Sequence, residues 1–288
     1  MKKRRFGFTL VELIVVVAIL SLLAALVLPR VGTLMKSAGH AAGASSMADT
    51  TTLIQAWNTA NGNYPDGWDT RLGSSGQLLT ASTGITPTAG STAVLPTELV
   101  GATGRLATYT LSAGDVQGFN NVGITTVYNM DTAPPTELTR PDDWFNTQVP
   151  LATGTTVAVI NAAQATVAGT GTTNKIIDHI YRSNLTNGGK LGTIGGTGNT
   201  DTIELVAFGL GAHNTMVAGN NGNNLTSGLM VEAPVDGSFN SAQIYNRLIV
   251  VFAVDSSKTP STVTFAGVFG ADGDLVTDDA AAINNAVQ

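Results

Sequence analysis

Residues Phe8 to Leu28, FTLVELIVVVAILSLLAALVL, form a run of 21 residues in which only Thr9, Glu12 and Ser21 are polar. At about 1.5 Å per residue, an α-helix of that length crosses a hydrocarbon core of about 30 Å. The preceding MKKRRFG places Lys2, Lys3, Arg4 and Arg5 beside the run. A basic cluster of this kind stays cytoplasmic, so the segment reads as an N-in membrane helix. A secretory signal peptide has the same basic and apolar parts. Here, however, Leu26, Val27, Leu28 and Pro29 fill the place where its small-x-small cleavage site belongs.

Neither reading explains Glu12. An unpaired carboxylate at the centre of a membrane span costs roughly 2.5–3.5 kcal/mol on insertion scales, so it needs a partner. No Lys, Arg or His follows within two turns of the same helix. The expected partner is therefore another chain or a chain terminus.

Gly7-Phe8-Thr9-Leu10-Val11-Glu12, placed after a short basic leader, resembles the processing site of type IV prepilins and of the pseudopilins of type II secretion systems. The resemblance implies that a membrane-embedded prepilin peptidase cuts between Gly7 and Phe8 and N-methylates Phe8. Glu12 is then the fifth residue of the mature chain, and Thr9 and Pro29 fall where the family places such residues. It further implies that Glu12 of one subunit pairs with the Phe8 amine of its neighbour. That attraction is far stronger in a low-dielectric setting than in water. Implied partners are further copies of the chain, other pilins or pseudopilins, the peptidase and an inner-membrane assembly platform.

Past Pro29 a helical pattern continues through Leu53, Ile54 and Trp57 and stops near Asn61-Gly62-Asn63-Tyr64-Pro65. The expected stem, 8–61, would be about 80 Å long if unbroken, with a kink at Pro29. Leu53, Ile54 and Trp57 form the stripe expected to pack on a head. The Tyr-Pro after the stem resembles the corresponding turn of major pseudopilins.

The head, 62–288, is loop-rich to about Thr173. Short strands are predicted at Leu106–Leu111, Gly123–Tyr128 and Thr155–Ile160, and a helix at Lys175–Ser183. Stronger strands are predicted at Ile203–Phe208, Leu229–Glu232, Arg247–Val254 and Ser261–Phe269, with a turn at Asp255–Pro260. The expected fold is thus α+β and pilin-like: a leader at 1–7, a long N-terminal helix whose segment 8–28 spans the membrane and forms the filament core, and a head with an antiparallel sheet.

Charge supports this division. The net charge of -6 conceals an acidic body, because without residues 1–7 the count is 10 basic against 20 acidic residues. A nucleic-acid-binding head would carry a basic face, so none is predicted. With no Cys there is no disulfide, thiolate metal site or cysteine nucleophile. His40, His179 and His213 share no spacing, and the hydrolase, zinc-protease and P-loop motifs are missing. No enzymatic role is expected.

Asp272, Asp274, Asp278 and Asp279 crowd the C-terminal end. Oxygens at such spacing on a Gly-containing loop suit calcium, although the pattern is not an EF-hand. The segment resembles the acidic loop by which major pseudopilins hold a structural calcium. Equally, Thr277 or Asp278 could cap a short helix at 279–286, with Asp272 and Asp274 as turn residues. Both readings stand.

The expected product is a structural subunit of an inner-membrane-anchored periplasmic or cell-surface filament. A type II secretion pseudopilin is favoured by the Tyr-Pro turn, the acidic terminus and the lack of Cys. The alternatives are a type IV pilin for adhesion, motility or DNA uptake, and a signal-anchored surface binding protein that does not polymerise.

Overall fold

The computed structural model describes residues 10–79, 95–96, 99–100, 104–130, 145–161, 203–217, 229–236 and 245–273, except the side chains of 24 and 26–37. The elements run α1 (Leu10–Asn61), β1 (Trp68–Gly73), β2 (Leu106–Thr110), α2 (Ala113–Asn121), β3 (Thr126–Met130), β4 (Thr147–Pro150), β5 (Thr156–Ile160), β6 (Ile203–Gly209), β7 (Ile249–Asp255) and β8 (Thr262–Phe269). The predicted helix at Lys175–Ser183 lies outside the described residues.

The stem α1 is 52 residues long, and its backbone stays helical through Pro29. It stops where expected. Gly62 adopts φ +71° and returns its amide to the Asn58 carbonyl at 2.9 Å, a left-handed ending that a residue with a Cβ reaches only with strain. The Asn61 side-chain amide donates to the Trp57 carbonyl at 3.0 Å, satisfying another terminal acceptor.

The head seats on α1 through Met47, Thr50 and Ile54, all essentially fully buried, with Trp57 half-buried beside them. The expected stripe of Leu53, Ile54 and Trp57 is thereby corrected. Leu53 lies about 100° around the helix from Ile54 and falls on the flank, while Met47 and Thr50 continue the line at spacings of four and three.

The eight described strands form one sheet. β6 is its centre: β7 and then β8 lie along one edge, and the other edge is shared by β5–β2 and by β1–β3–β4. The β6–β7 ladder pairs Ile203 with Asp255 through to Gly209 with Ile249. The predicted turn at Asp255–Pro260 closes the β7–β8 hairpin. The sheet is not wholly antiparallel, since β1 and β3 run parallel, with Trp68 opposite Val127 and Asp69 opposite Tyr128. Leu229–Glu232 forms no strand. Met230 makes a single bridge to Val217, and Val231 is 84% exposed.

Both faces of the sheet are buried, so β6 and β7 read as nearly continuous apolar runs rather than alternating ones. Val206, Phe208, Val250, Phe252 and Val254 face the helical side with Met47, Ile54 and Phe119. Leu205, Ala207, Ile249, Val251 and Ala253 face a second core containing Leu79, Leu95, Leu99, Phe145 and Tyr245.

Three elements go beyond those expected from the sequence. α2 carries Gly114, Gly118 and two Asn, a weak helical composition. Its signal is Ser112-x-x-Asp115, a reciprocal capping box. A side chain at Gly118 would collide with the Ser261 carbonyl, so the small residue permits α2 to lie on the start of β8. β1, WDTRLG, is buried throughout despite Asp69, Thr70 and Arg71. β4 ends in Pro150, which only an edge strand tolerates.

Candidate functional site: the N-terminal segment and its seat on the head

Glu12 lies in the first described turn of α1. Around it every large apolar side chain from Leu10 to Leu23 is at least 50% exposed. A contiguous apolar surface of that extent does not stay in water and marks a membrane or protein contact. Gly7, Phe8 and Thr9 lie outside the described residues, as does the side chain of Pro29. Among the described residues no helix is long and apolar enough to cross a membrane.

A family profile, the prokaryotic N-terminal methylation motif, matches residues 2–28. This is the type IV prepilin and pseudopilin signature. The match covers the basic leader, Gly7-Phe8 and the apolar run through Leu28, and it ends one residue before Pro29. The prepilin signature therefore bears on the same residues that α1 leaves exposed, while the head lies outside it. No curated protein and no solved structure matches the chain. The signature supports a pilin-type class, with peptidase processing and assembly with other pilins.

Two hydrogen-bonded clusters brace the part of the head beside the stem exit and α2. At the stem exit, Asp66 Oδ1 accepts from the Gly67, Thr125 and Thr126 amides at 2.9, 3.0 and 2.9 Å, and Oδ2 accepts from the Thr125 hydroxyl at 2.5 Å. The loop after α1 is thus tied to the start of β3. In the second cluster, Asp115 accepts from the Ser261 hydroxyl at 2.7 Å, from the Ser112 hydroxyl and amide at 2.7 and 2.9 Å, and from the Tyr109 hydroxyl at 2.9 Å. Burial pushes the Asp115 carboxyl up, but these donors outweigh it and hold the group below the usual carboxylate range. Burial, with the neighbouring Asp115 accepting its proton, pushes the Tyr109 phenol up.

The acidic terminus is represented by Asp272 in a tight turn, where Gly273 donates to Gly270 at 2.9 Å. Arg105 Nη1 donates to the Asp272 carbonyl at 2.7 Å, and Asp236 Oδ2 accepts the Ala271 amide at 2.9 Å. Asp236, distant in sequence, was missed because no local spacing connects it to the turn. Asp274, Asp278 and Asp279 lie outside the described residues. Among the described residues no group of three or more His, Cys, Asp or Glu is placed to hold a metal. A guanidinium bonded to this turn also opposes a cation beside it. A calcium donor set is therefore not assembled by the described residues.

Proposed function

We propose that this chain is a structural, non-enzymatic subunit of a pilus-like filament, and that the filament is a type II secretion pseudopilus. The observation that carries the filament reading is the prepilin signature continuing into a long helix whose first described turns are apolar on every side, while its last turns are seated on a head. In this reading residues 8–28 are held in the inner membrane before assembly and are covered afterwards by the same segment of neighbouring copies. Phe8 is the methylated terminus, and its amine pairs with Glu12 of the next subunit. The lack of Cys and the Tyr64-Pro65 turn support the pseudopilin over a surface pilin.

N-terminal sequencing of the membrane-extracted protein, together with electron microscopy of sheared cells, tests the proposal. A chain beginning at N-methylated Phe8 is expected; one beginning at Met1 contradicts the proposal. Filaments on the cell surface at native expression would assign the subunit to a surface pilus. Calcium at Asp272, Asp274, Asp278 and Asp279 is a separate part of the reading. A rise in melting temperature with millimolar calcium, lost when Asp272 and Asp274 are both replaced by Ala, places the ion there. An unchanged melting temperature rejects it.

A further inference from the structure

β1 buries three consecutive polar side chains that neither the stem nor its assembly uses. Asp69, Thr70 and Arg71 are 1%, 0% and 0% exposed, and each reaches a different partner. The hydroxyl of Tyr245, on the segment entering β7, donates to Asp69 Oδ2 at 2.5 Å. The Thr70 hydroxyl bonds Asn129 Oδ1 on β3 at 2.6 Å and accepts the Leu72 amide at 3.2 Å. Arg71 Nη2 donates to the Arg247 carbonyl at 2.6 Å, and its guanidinium lies 5.2 Å from the centre of the Tyr245 ring.

Backbone pairing does little to fix the position of β1. Among the described residues it meets β6 at the single pair Asp69–Gly209. It meets β3 at Trp68–Val127, Asp69–Tyr128 and Gly73–Met130, with the register shifting between Asp69 and Gly73. Exposure does not choose an alignment either, because every residue from Trp68 to Gly73 is buried and a slipped strand has no solvent face to betray it. The polar bonds do choose. The hollow that receives Asp69 is small: a side chain at Gly209 would strike the Tyr245 hydroxyl, and one at Gly211 would strike the Asp69 carboxylate. Arg71 holds φ +62°, a conformation uncommon outside glycine, so its backbone is held there by what its side chain reaches.

We propose that Asp69, Thr70 and Arg71 are a register key: their buried bonds to Tyr245, Asn129 and the Arg247 carbonyl select one alignment of β1, and with it the point at which the chain leaving the stem joins the sheet.

The alternative alignments show how the key works. A slip of one residue turns Asp69 and Arg71 to the helical side of the sheet, and it takes Trp68 away from Phe208, on which it stacks at 6.4 Å. A slip of two that brings Arg71 to the place of Asp69 keeps the faces. It then forces a guanidinium into the hollow between Gly209 and Gly211, where Arg247 also acts on the occupant. Both leave buried donors or acceptors without partners, which costs more than a bond at the surface returns. Apolar side chains of similar size would bury as well without choosing between alignments.

The test uses the full chain in detergent, with the methyl groups of isoleucine, leucine and valine labelled for NMR. Wild type is expected to give one set of signals for Val127 and Leu72, with Val127 in contact with Trp68. In the double variant Asp69→Leu with Arg71→Met, a second set for Val127 and Leu72, or replacement of the Trp68–Val127 contact by one to another β3 residue, is expected. Val157 and Val159 on β5 keep single signals. One set with the Trp68–Val127 contact intact overturns the proposal. Should the double variant fail to fold, amide exchange in Tyr245→Phe decides, because that change keeps the ring and removes one bond of the key. The β1 amides are then expected to exchange about fivefold faster while those of β5 keep wild-type rates. An unchanged β1, or equal acceleration in β5, overturns the proposal.

Discussion

The Tyr64 hydroxyl accepts the backbone amide of Phe265 at 3.2 Å, linking the residue where the chain leaves the stem to the middle of β8. The bond falls where the β7–β8 register shifts, between the Val251–Gly267 and Phe252–Phe265 pairs, so the phenol satisfies an amide at an irregularity in the ladder. The Tyr64 ring also meets Phe252 edge-on at 5.2 Å. The Tyr-Pro after the stem is therefore a structural pin between stem and sheet.

Replacing Tyr64 by Phe keeps the ring contacts and leaves the Phe265 amide without its acceptor. A loss of about 1 kcal/mol is expected, which for a chain of this size lowers the melting temperature by roughly 2–4 °C. Tyr64→Ala, which also removes the packing on Phe252 and Phe265, is expected to cost several times more. Thermal denaturation of both variants checks the order.

Asp115 joins α2 to the exit of the β7–β8 turn. Asp115→Ala leaves the Ser261, Ser112 and Tyr109 donors without their acceptor, and a loss of about 1–3 kcal/mol is expected. Because the folded carboxyl titrates below its unfolded value, its stabilisation is present above the unfolded value of 3.8. It is lost as pH falls through the lower folded value. Wild type should therefore lose stability toward acid more steeply than Asp115→Asn. Identical acid limbs in denaturant titrations would contradict this role.

Ile54 is fully buried where the stem meets the sheet. Ile54→Ala is expected to destabilise the head by about 2–5 kcal/mol, whereas Leu53→Ala, on the half-exposed flank, should cost well under half of that. Equal effects of the two would restore the stripe expected from sequence. Melting curves of the paired variants separate the two placements.

Glu12→Ala should leave peptidase processing intact while sharply reducing filament yield, since the change removes the carboxylate proposed to meet the Phe8 amine. Immunoblots of membrane fractions report processing, and quantification of sheared filaments reports assembly. Filament yield equal to wild type would remove Glu12 from the assembly step.

Local rules read well wherever the residues themselves carried the information. The run from Phe8, the stop at Gly62 and the strands at β2, β5, β6, β7 and β8 follow from apolar period, β-branched content and turn residues. They need no knowledge of distant partners. The prepilin signature belongs with them, because its chemistry lies within a few neighbouring positions.

What only the tertiary structure decided lies where polar residues are buried by distant contacts. Trp68–Gly73 becomes a strand because Tyr245 and the Arg247 carbonyl, 176 residues away, receive Asp69 and Arg71. Ala113–Asn121 becomes a helix because Ser261 completes the Asp115 cap and Gly118 admits the β8 backbone. Met47 and Thr50 rather than Leu53 face the head because the angle of docking, set by β8 and the core behind it, selects which line on the stem is buried. Local propensity differs by only tenths of a kcal/mol between helix and loop at such positions. Burial and satisfied hydrogen bonds are worth whole kcal/mol, so the distant contacts prevail.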